Sequence, residues 1–258
     1  MRSNLEWKKW GEVDPLFGVA TWKGKSKNDL TPWTDSEFYA LGESDWSDFI
    51  AQWVRYGVEK QTCLEIGCGA GRLTRAMVST FQDVYAVDVS NKMIEYARAH
   101  VDRTKVTLFQ TNGVVLPFQE GSINAVFSAH VFQHFDSLAD ASLCFSEIYR
   151  VLEHGSSFMI HLPVYRWPAV PRIIPFIYRV QKAVGLVRAE YNRFRLRHNA
   201  WRPFMRGLWF DIDWLHKELR SIGFSRIEVD FLWTRSNDSL HPFVFGVKER
   251  KGDSIRRA

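Results

Sequence analysis

The residues with the clearest chemical potential lie between Cys63 and Thr74, in the run CLEIGCGAGRLT. Leu64 and Ile66 give it the apolar character of a buried strand. Gly67, Gly69 and Gly71 then alternate with other residues, and Arg72, Leu73, Ala76 and Met77 continue at helical spacing. A strand that enters a helix through glycines exposes bare backbone to a ligand, and the helix start adds unpaired N–H groups. A dinucleotide fingerprint would need a third glycine at position 72, where Arg72 stands. Glu65, two residues before Gly67, would repel a pyrophosphate and attract a cation. A turn that holds no ligand is the alternative. A second acid, Asp88, ends the short apolar run 84–88, 17 residues beyond Gly71. A carboxylate at the end of a second strand can accept two hydrogen bonds from a ribose diol. It could instead cap a helix, but Ser90 is already placed to cap helix Asn91–His100.

The string Glu65-x-Gly67-x-Gly69-x-Gly71 resembles motif I of the class I S-adenosylmethionine (SAM) dependent methyltransferases. The likeness runs from about residue 60 to 248 and includes Leu116-Pro117-Phe118 and the string EIYRVLEHGSSFMIHLP. It implies SAM as cofactor, with S-adenosylhomocysteine as product. The cofactor contacts then fall on Glu65, Gly67, Cys68, Gly69, Asp88, Val89, Met93, Asn112, Gly113, Ala129 and His130. Relatives commonly carry Asp where Asn112 and Asn124 stand; the Asn112 amide oxygen can accept the same bond from an adenine amino group. Met93 suits either an adenine face or the core. His134 and His241 are the candidate bases for the methyl acceptor. Loss of the Glu65 or Asp88 carboxylate is expected to weaken SAM binding with little effect on folding.

The composition narrows the alternatives. A chain of 258 residues suits one large α/β domain with additions, and an apolar fraction of 46% allows a substantial core. Cys63, Cys68 and Cys144 are odd in number and lack metal-ligand spacing, so we expect no metal centre and a reducing, cytoplasmic setting. The first residues carry no apolar run of the signal-peptide kind, and no apolar run approaches a spanning length. The net charge of +5 comes from one segment. Residues 164–206 hold ten Lys/Arg and one acid, leaving 24 basic and 28 acidic residues elsewhere.

The elements that must position these residues follow an α/β rhythm. The fold expected is a Rossmann-like, doubly wound, mostly parallel seven-stranded sheet with a C-terminal antiparallel hairpin. Residues 1–60, with six of the eleven tryptophans, form an N-terminal helical layer that is either simple packing or a lid. Within it a helical stretch 35–56 is expected to break near Gly42, with Ser44 capping the second part. Residues 61–163 form the cofactor-binding core, with the third strand and its exit over 106–113 and strands at 123–128 and 157–162. His130, Gln133 and His134 then fall at the carboxyl end of the fourth strand, where open α/β sheets bind ligands. Residues 164–206 interleave eight aromatics with the ten basic residues. This insertion is read as a substrate cap for an anionic acceptor, as a contact with an anionic membrane surface, or as a solvated helix. Nucleic acid is disfavoured because no recognised binding motif accompanies it. Residues 207–250 complete the sheet: a helix 211–222, then strands at 227–234 and 243–248. Their short connection, holding Asn237, Asp238 and His241, makes them antiparallel. Residues 251–258 are a tail.

The resulting expectation is methyl transfer to a small or lipid-linked acceptor, with a hydroxyl favoured because histidine is available as a base. N-methylation and a non-catalytic binding role are the alternatives. A nicotinamide oxidoreductase is disfavoured by Arg72 and by the final hairpin.

Overall fold

The computed structural model describes residues 3–166 and 207–249. The tail 251–258 and nearly all of the basic insertion lie outside the described residues.

Three helices come first: α1 (Ser3–Val13), α2 (Pro15–Val19) and α3 (Asp35–Tyr56). Thr34 caps α3 through a reciprocal capping box with Glu37, and Gly57 ends it in a left-handed conformation. The helix is not broken at Gly42, and Ser44 lies within it rather than capping it. Gly42 serves a different purpose. A Cβ there would lie 2.1 Å from the Arg72 carbonyl oxygen, so the glycine lets α3 press onto the turn that follows the first strand.

The sheet contains β1 (Thr62–Ile66), β2 (Asp83–Asp88), β3 (Val106–Gln110), β4 (Ile123–Ser128), β5 (Leu152–His161), β8 (Phe224–Thr234) and β9 (Ser239–Lys248). Its order is β3-β2-β1-β4-β5-β9-β8. The pairs among β1 to β5 are parallel, and β9 runs antiparallel to both β5 and β8. The expected fold is therefore the one observed. Strand β5 begins earlier than expected, because α6 (Leu138–Val151) passes into it without a turn. Strand β9 also begins earlier, which places His241 on a strand rather than in the loop.

The central strands are apolar on both faces because helices cover both. On one side α6 and α7 (Ile212–Ile222) bury Phe145, Ile148, Leu215 and Leu219. On the other, α3 and α4 (Arg72–Met77) contribute Trp46, Phe49, Trp53, Leu73 and Met77. The Trp53 indole N–H donates to Ser157 Oγ at 3.0 Å, satisfying a buried polar group and tying α3 to β5. A third cluster joins Trp10, Leu16 and Phe38 of the N-terminal helices to Ala70 and to Met93 of α5 (Asn91–His100).

Two short strands, β6 (Val164–Tyr165) and β7 (Phe210–Asp211), pair in parallel. The Phe210 N–H donates to the Pro163 carbonyl at 2.9 Å, and the Leu208 N–H to the Gln133 carbonyl at 2.6 Å. The basic segment thus leaves and re-enters the fold beside the 3-10 turn Phe132–His134.

Candidate cofactor and acceptor site

The carboxyl ends of β1, β2 and β4 open onto one cleft of about 810 Å³, its mouth included. Of the residues singled out in the sequence, Gly67, Gly69, Asp88, Val89, Met93, Gly113, Ala129, His130 and His134 line it. Glu65, Cys68, Asn112 and His241 do not.

Strand β1 ends in Gly67, whose N–H donates to the Val87 carbonyl at 2.8 Å, so the turn is stitched to β2. Gly69 has a φ of 52°, and a Cβ there would lie 2.4 Å from Val19 Cγ2. Only glycine allows both this backbone shape and the approach of α2. Asp88 holds the same turn from the next strand. Its Oδ2 accepts from the Gly69 N–H at 2.9 Å and its Oδ1 from the Ser90 N–H at 2.8 Å. Each oxygen keeps a further lone pair. Burial pushes the Asp88 carboxyl above its usual range, and N–H groups of Ser90, Gly69 and Val89 oppose the shift. Asp88 is thus part of the turn's architecture, contrary to the expectation that its removal would leave folding nearly untouched.

Glu65 is buried behind the turn and accepts a hydrogen bond from the Thr74 hydroxyl at 2.5 Å. Burial raises its pKa to about 7, while the Thr74 bond and the Arg72 charge pull the other way. Its influence on a ligand in the cleft is electrostatic, through the turn. The Cys68 side chain packs with Ala86 and Ile94 behind the turn, and burial holds its thiol protonated. Asn112 uses its side-chain oxygen on its own loop, accepting from the N–H groups of Val114 and Val115 at 3.1 and 2.9 Å. Its neighbours Thr111 and Gly113 line the cleft instead. Asn124 is buried and accepts from the Thr62 N–H at 3.3 Å, which steadies the start of β1.

Sequence reasoning missed the contribution of α1. Ser3, Asn4 and Trp7 line the cleft, together with Val19 of α2. The start of α1 is tied to the loops it covers: Asn4 Nδ2 donates to the Asn112 carbonyl at 2.6 Å, and the Ser3 N–H to Asp136 Oδ1 at 3.2 Å. These contacts join residues more than a hundred positions apart and leave no local pattern to read.

A second, more polar cavity of about 680 Å³ adjoins the cleft and shares Trp7, Val19, His130 and His134 with it. Asp45, Arg72, Gln133, Ser236 and Asn237 complete its polar wall. Arg72 and Asp45 form a buried ion pair, and the Ser236 hydroxyl also donates to Asp45. Trp7 meets His134 edge-on, with ring centroids 4.8 Å apart, and Gln133 Nε2 lies 3.1 Å from His134 Nε2. His130 has a φ of 60°, a left-handed conformation that costs a non-glycine residue about 1–2 kcal/mol. Its ring lies 4.1 Å from that of His161 and 5.2 Å from that of His241. Burial, then the two neighbouring rings, hold the His130 pKa well below its usual value; burial puts His161 at about 3 and also lowers His241.

The cleft suits a cationic nucleoside. Its lining includes the acid Asp88 at the end of β2, small apolar residues beside it, and no lysine or arginine among the described residues. A pyrophosphate would find no counter-charge there. This fold and this site define a class I, Rossmann-like ligand-binding domain of the methyltransferase type. Residues 64–160 match the family model described as a methyltransferase domain. The stretch 64–160 is therefore similar to a methyltransferase domain.

Its relatives differ in the atom they methylate. The chain is 35% identical over 97 residues to malonyl-[acyl-carrier protein] O-methyltransferase of Hahella chejuensis, covering 37% of this chain and 34% of that one. It is 30% identical over 166 residues to cycloartenol-C-24-methyltransferase of Arabidopsis thaliana, covering 61% and 42%. The chain thus spans well under half the length of these curated relatives. Among solved structures, magnesium protoporphyrin IX methyltransferase of Synechocystis, with bound S-adenosylhomocysteine, superposes with a TM-score of 0.60. The identity is 16%, over 96% of this chain and 100% of that one.

Proposed function

We propose that this protein transfers a methyl group from SAM to a hydroxyl of a small or lipid-linked acceptor. The observation that carries the reading is the shared wall of the two cavities. The cleft is built for a cationic nucleoside, and the polar cavity beside it opens onto the same His130 and His134. Bound SAM supplies a methyl group on a positively charged sulfur that is already a good leaving group. The chain's task is then to orient the acceptor and exclude water, which is worth about 7–11 kcal/mol at best.

In this reading Asp88 accepts hydrogen bonds from the ribose diol, and Gly67 and Gly69 let the ligand lie against backbone. Met93 and Leu116 border the cleft as apolar surface. Trp7 and Val19 close it from the N-terminal helices, which act as a cap. His134 is the base: it lines both cavities, and Trp7 and Gln133 steady its ring. The other sequence candidate, His241, groups with His130 and His161 instead. The basic segment, whose described flank at Leu208 is bonded to the Gln133 carbonyl, is the acceptor-binding candidate because its charge favours an anionic group.

The test is calorimetry with SAM and S-adenosylhomocysteine, followed by a tritiated-methyl assay over hydroxyl, amine and lipid-linked acceptors. His134→Ala should lower kcat about 10²- to 10⁴-fold, the usual contribution of a general base, while cofactor affinity changes little. Unchanged turnover on a hydroxyl acceptor would remove His134 from the mechanism. Failure to bind either cofactor form would remove the methyltransferase reading.

A further inference from the structure

Three histidines converge beside the acceptor cavity from separate parts of the chain. His130 follows β4, His161 ends β5 and His241 lies near the start of β9. One ring nitrogen from each falls within 4.8 Å of the other two. Two nitrogens on a tetrahedral zinc, bonded at 2.0–2.1 Å, span about 3.3 Å, so each ring has less than about 1 Å to move inward. His161 is 5% exposed, and its Nδ1 has no hydrogen-bond partner among the described residues. A buried polar atom left unpaired costs about 1–3 kcal/mol, so it needs an explanation, and an unrecorded ion is one of the usual ones. His130 adds the left-handed backbone that turns its ring toward the other two. His241 Nε2 lies 2.8 Å from Ser239 Oγ and 3.3 Å from Asn237 Oδ1, contacts that orient an imidazole in the way metal-ligating histidines are held.

We propose that His130, His161 and His241 form a binding site for one divalent cation of the zinc class. Three neutral imidazoles suit zinc and its first-row neighbours. Three protein ligands leave a tetrahedral ion one open position, as in catalytic rather than structural sites. His130 lines the acceptor cavity, so that position faces it. Among the described residues Arg72 acts on His130 and His241, but it is already paired with Asp45 and does not oppose a second cation strongly. An acceptor oxygen bound at the open position would be oriented, and its proton made easier to remove. That role rests on the methyltransferase reading; the site itself does not.

The experiment uses untagged protein stripped with a chelator and then titrated with Co²⁺ or Zn²⁺ alone, without SAM or acceptor. One Co²⁺ per chain should bind, with the strong visible absorption of a four- or five-coordinate ion. Zn²⁺ should displace it, and Zn²⁺ should raise Tm. His161→Ala and His241→Asn should each weaken binding at least about tenfold. His241 is only partly buried, so its variant guards against a folding defect in the first. His216→Ala, on α7, should bind like the wild type. The proposal is overturned if no stoichiometric ion binds, or if the trio variants bind as tightly as the wild type. Because metal is read without cofactor, failure here leaves the methyl-transfer reading standing, and the converse also holds.

Discussion

The sharpest prediction concerns Asp88→Ala. In the structure each Asp88 oxygen already accepts one backbone N–H, from Gly69 and from Ser90. Asp88 also lines the cleft, and the proposed ribose diol would donate two charge-assisted hydrogen bonds to its remaining lone pairs. Each such bond is worth about 1.5–3 kcal/mol, and imperfect geometry argues for the lower part of that range. A loss of about 3–4 kcal/mol for the two bonds corresponds to a Kd weakened about 140- to 700-fold. The same substitution leaves the Gly69 and Ser90 N–H groups without acceptors, at about 1–3 kcal/mol each if water does not reach them. A chain of this size should then lose about 2–4 °C in Tm per kcal/mol. Calorimetry with S-adenosylhomocysteine, run well below the variant's Tm, separates the two effects. Asp88→Asn, which keeps one oxygen, should fall between wild type and Asp88→Ala in both measurements. Cofactor affinity within about threefold of wild type in a folded Asp88→Ala protein would refute the ribose assignment, since even one such bond is worth more.

Three further outcomes follow from the same geometry. Glu65 is held at a pKa of about 7 by burial, so the folded chain keeps a proton that the unfolded chain releases near pH 4.5. Stability of the unliganded protein should fall by about 1.4 kcal/mol per pH unit across that window and level off above pH 7; Glu65→Gln should flatten this slope in Tm-against-pH curves, and parallel curves would count against it. Gly69→Ala places a methyl group 2.4 Å from Val19 Cγ2 at a left-handed φ, and should cost about 1–3 kcal/mol. Val19→Ala should recover part of that loss, so strictly additive Tm changes would deny the contact. Asp45→Ala strands the buried Arg72 guanidinium and should cost about 3–5 kcal/mol in chemical denaturation, with the Asp45→Ala/Arg72→Met double variant more stable than the single one.

Much of the architecture was legible because it depends on local patterns. The glycine turn from Gly67 to Gly71, the acid at Asp88 and the final hairpin are set by spacing within a few residues, and all lie where expected. Gly42 was misread as a helix breaker because the same residue type serves backbone flexibility and close approach, and only the partner, Arg72, distinguishes them. Strand β9 was started too late because Pro242 lacks an N–H and reads as an interruption, although its carbonyl accepts from the Leu162 N–H. That slip placed His241 in a loop and hid its proximity to His161. The cleft residues Ser3, Asn4 and Trp7 could not be read at all, because α1 reaches the site from the far end of the chain.

The pairing of β6 with β7 bears on how this protein could change over evolutionary time. Pro163 and Phe210 are joined by a hydrogen bond, so the two described flanks of the basic segment lie side by side. Lengthening a tethered loop adds entropy cost only logarithmically, about 0.6 kcal/mol for each doubling. The length of sequence between these two flanks can therefore change while the glycine turn from Gly67 to Gly71 stays the same.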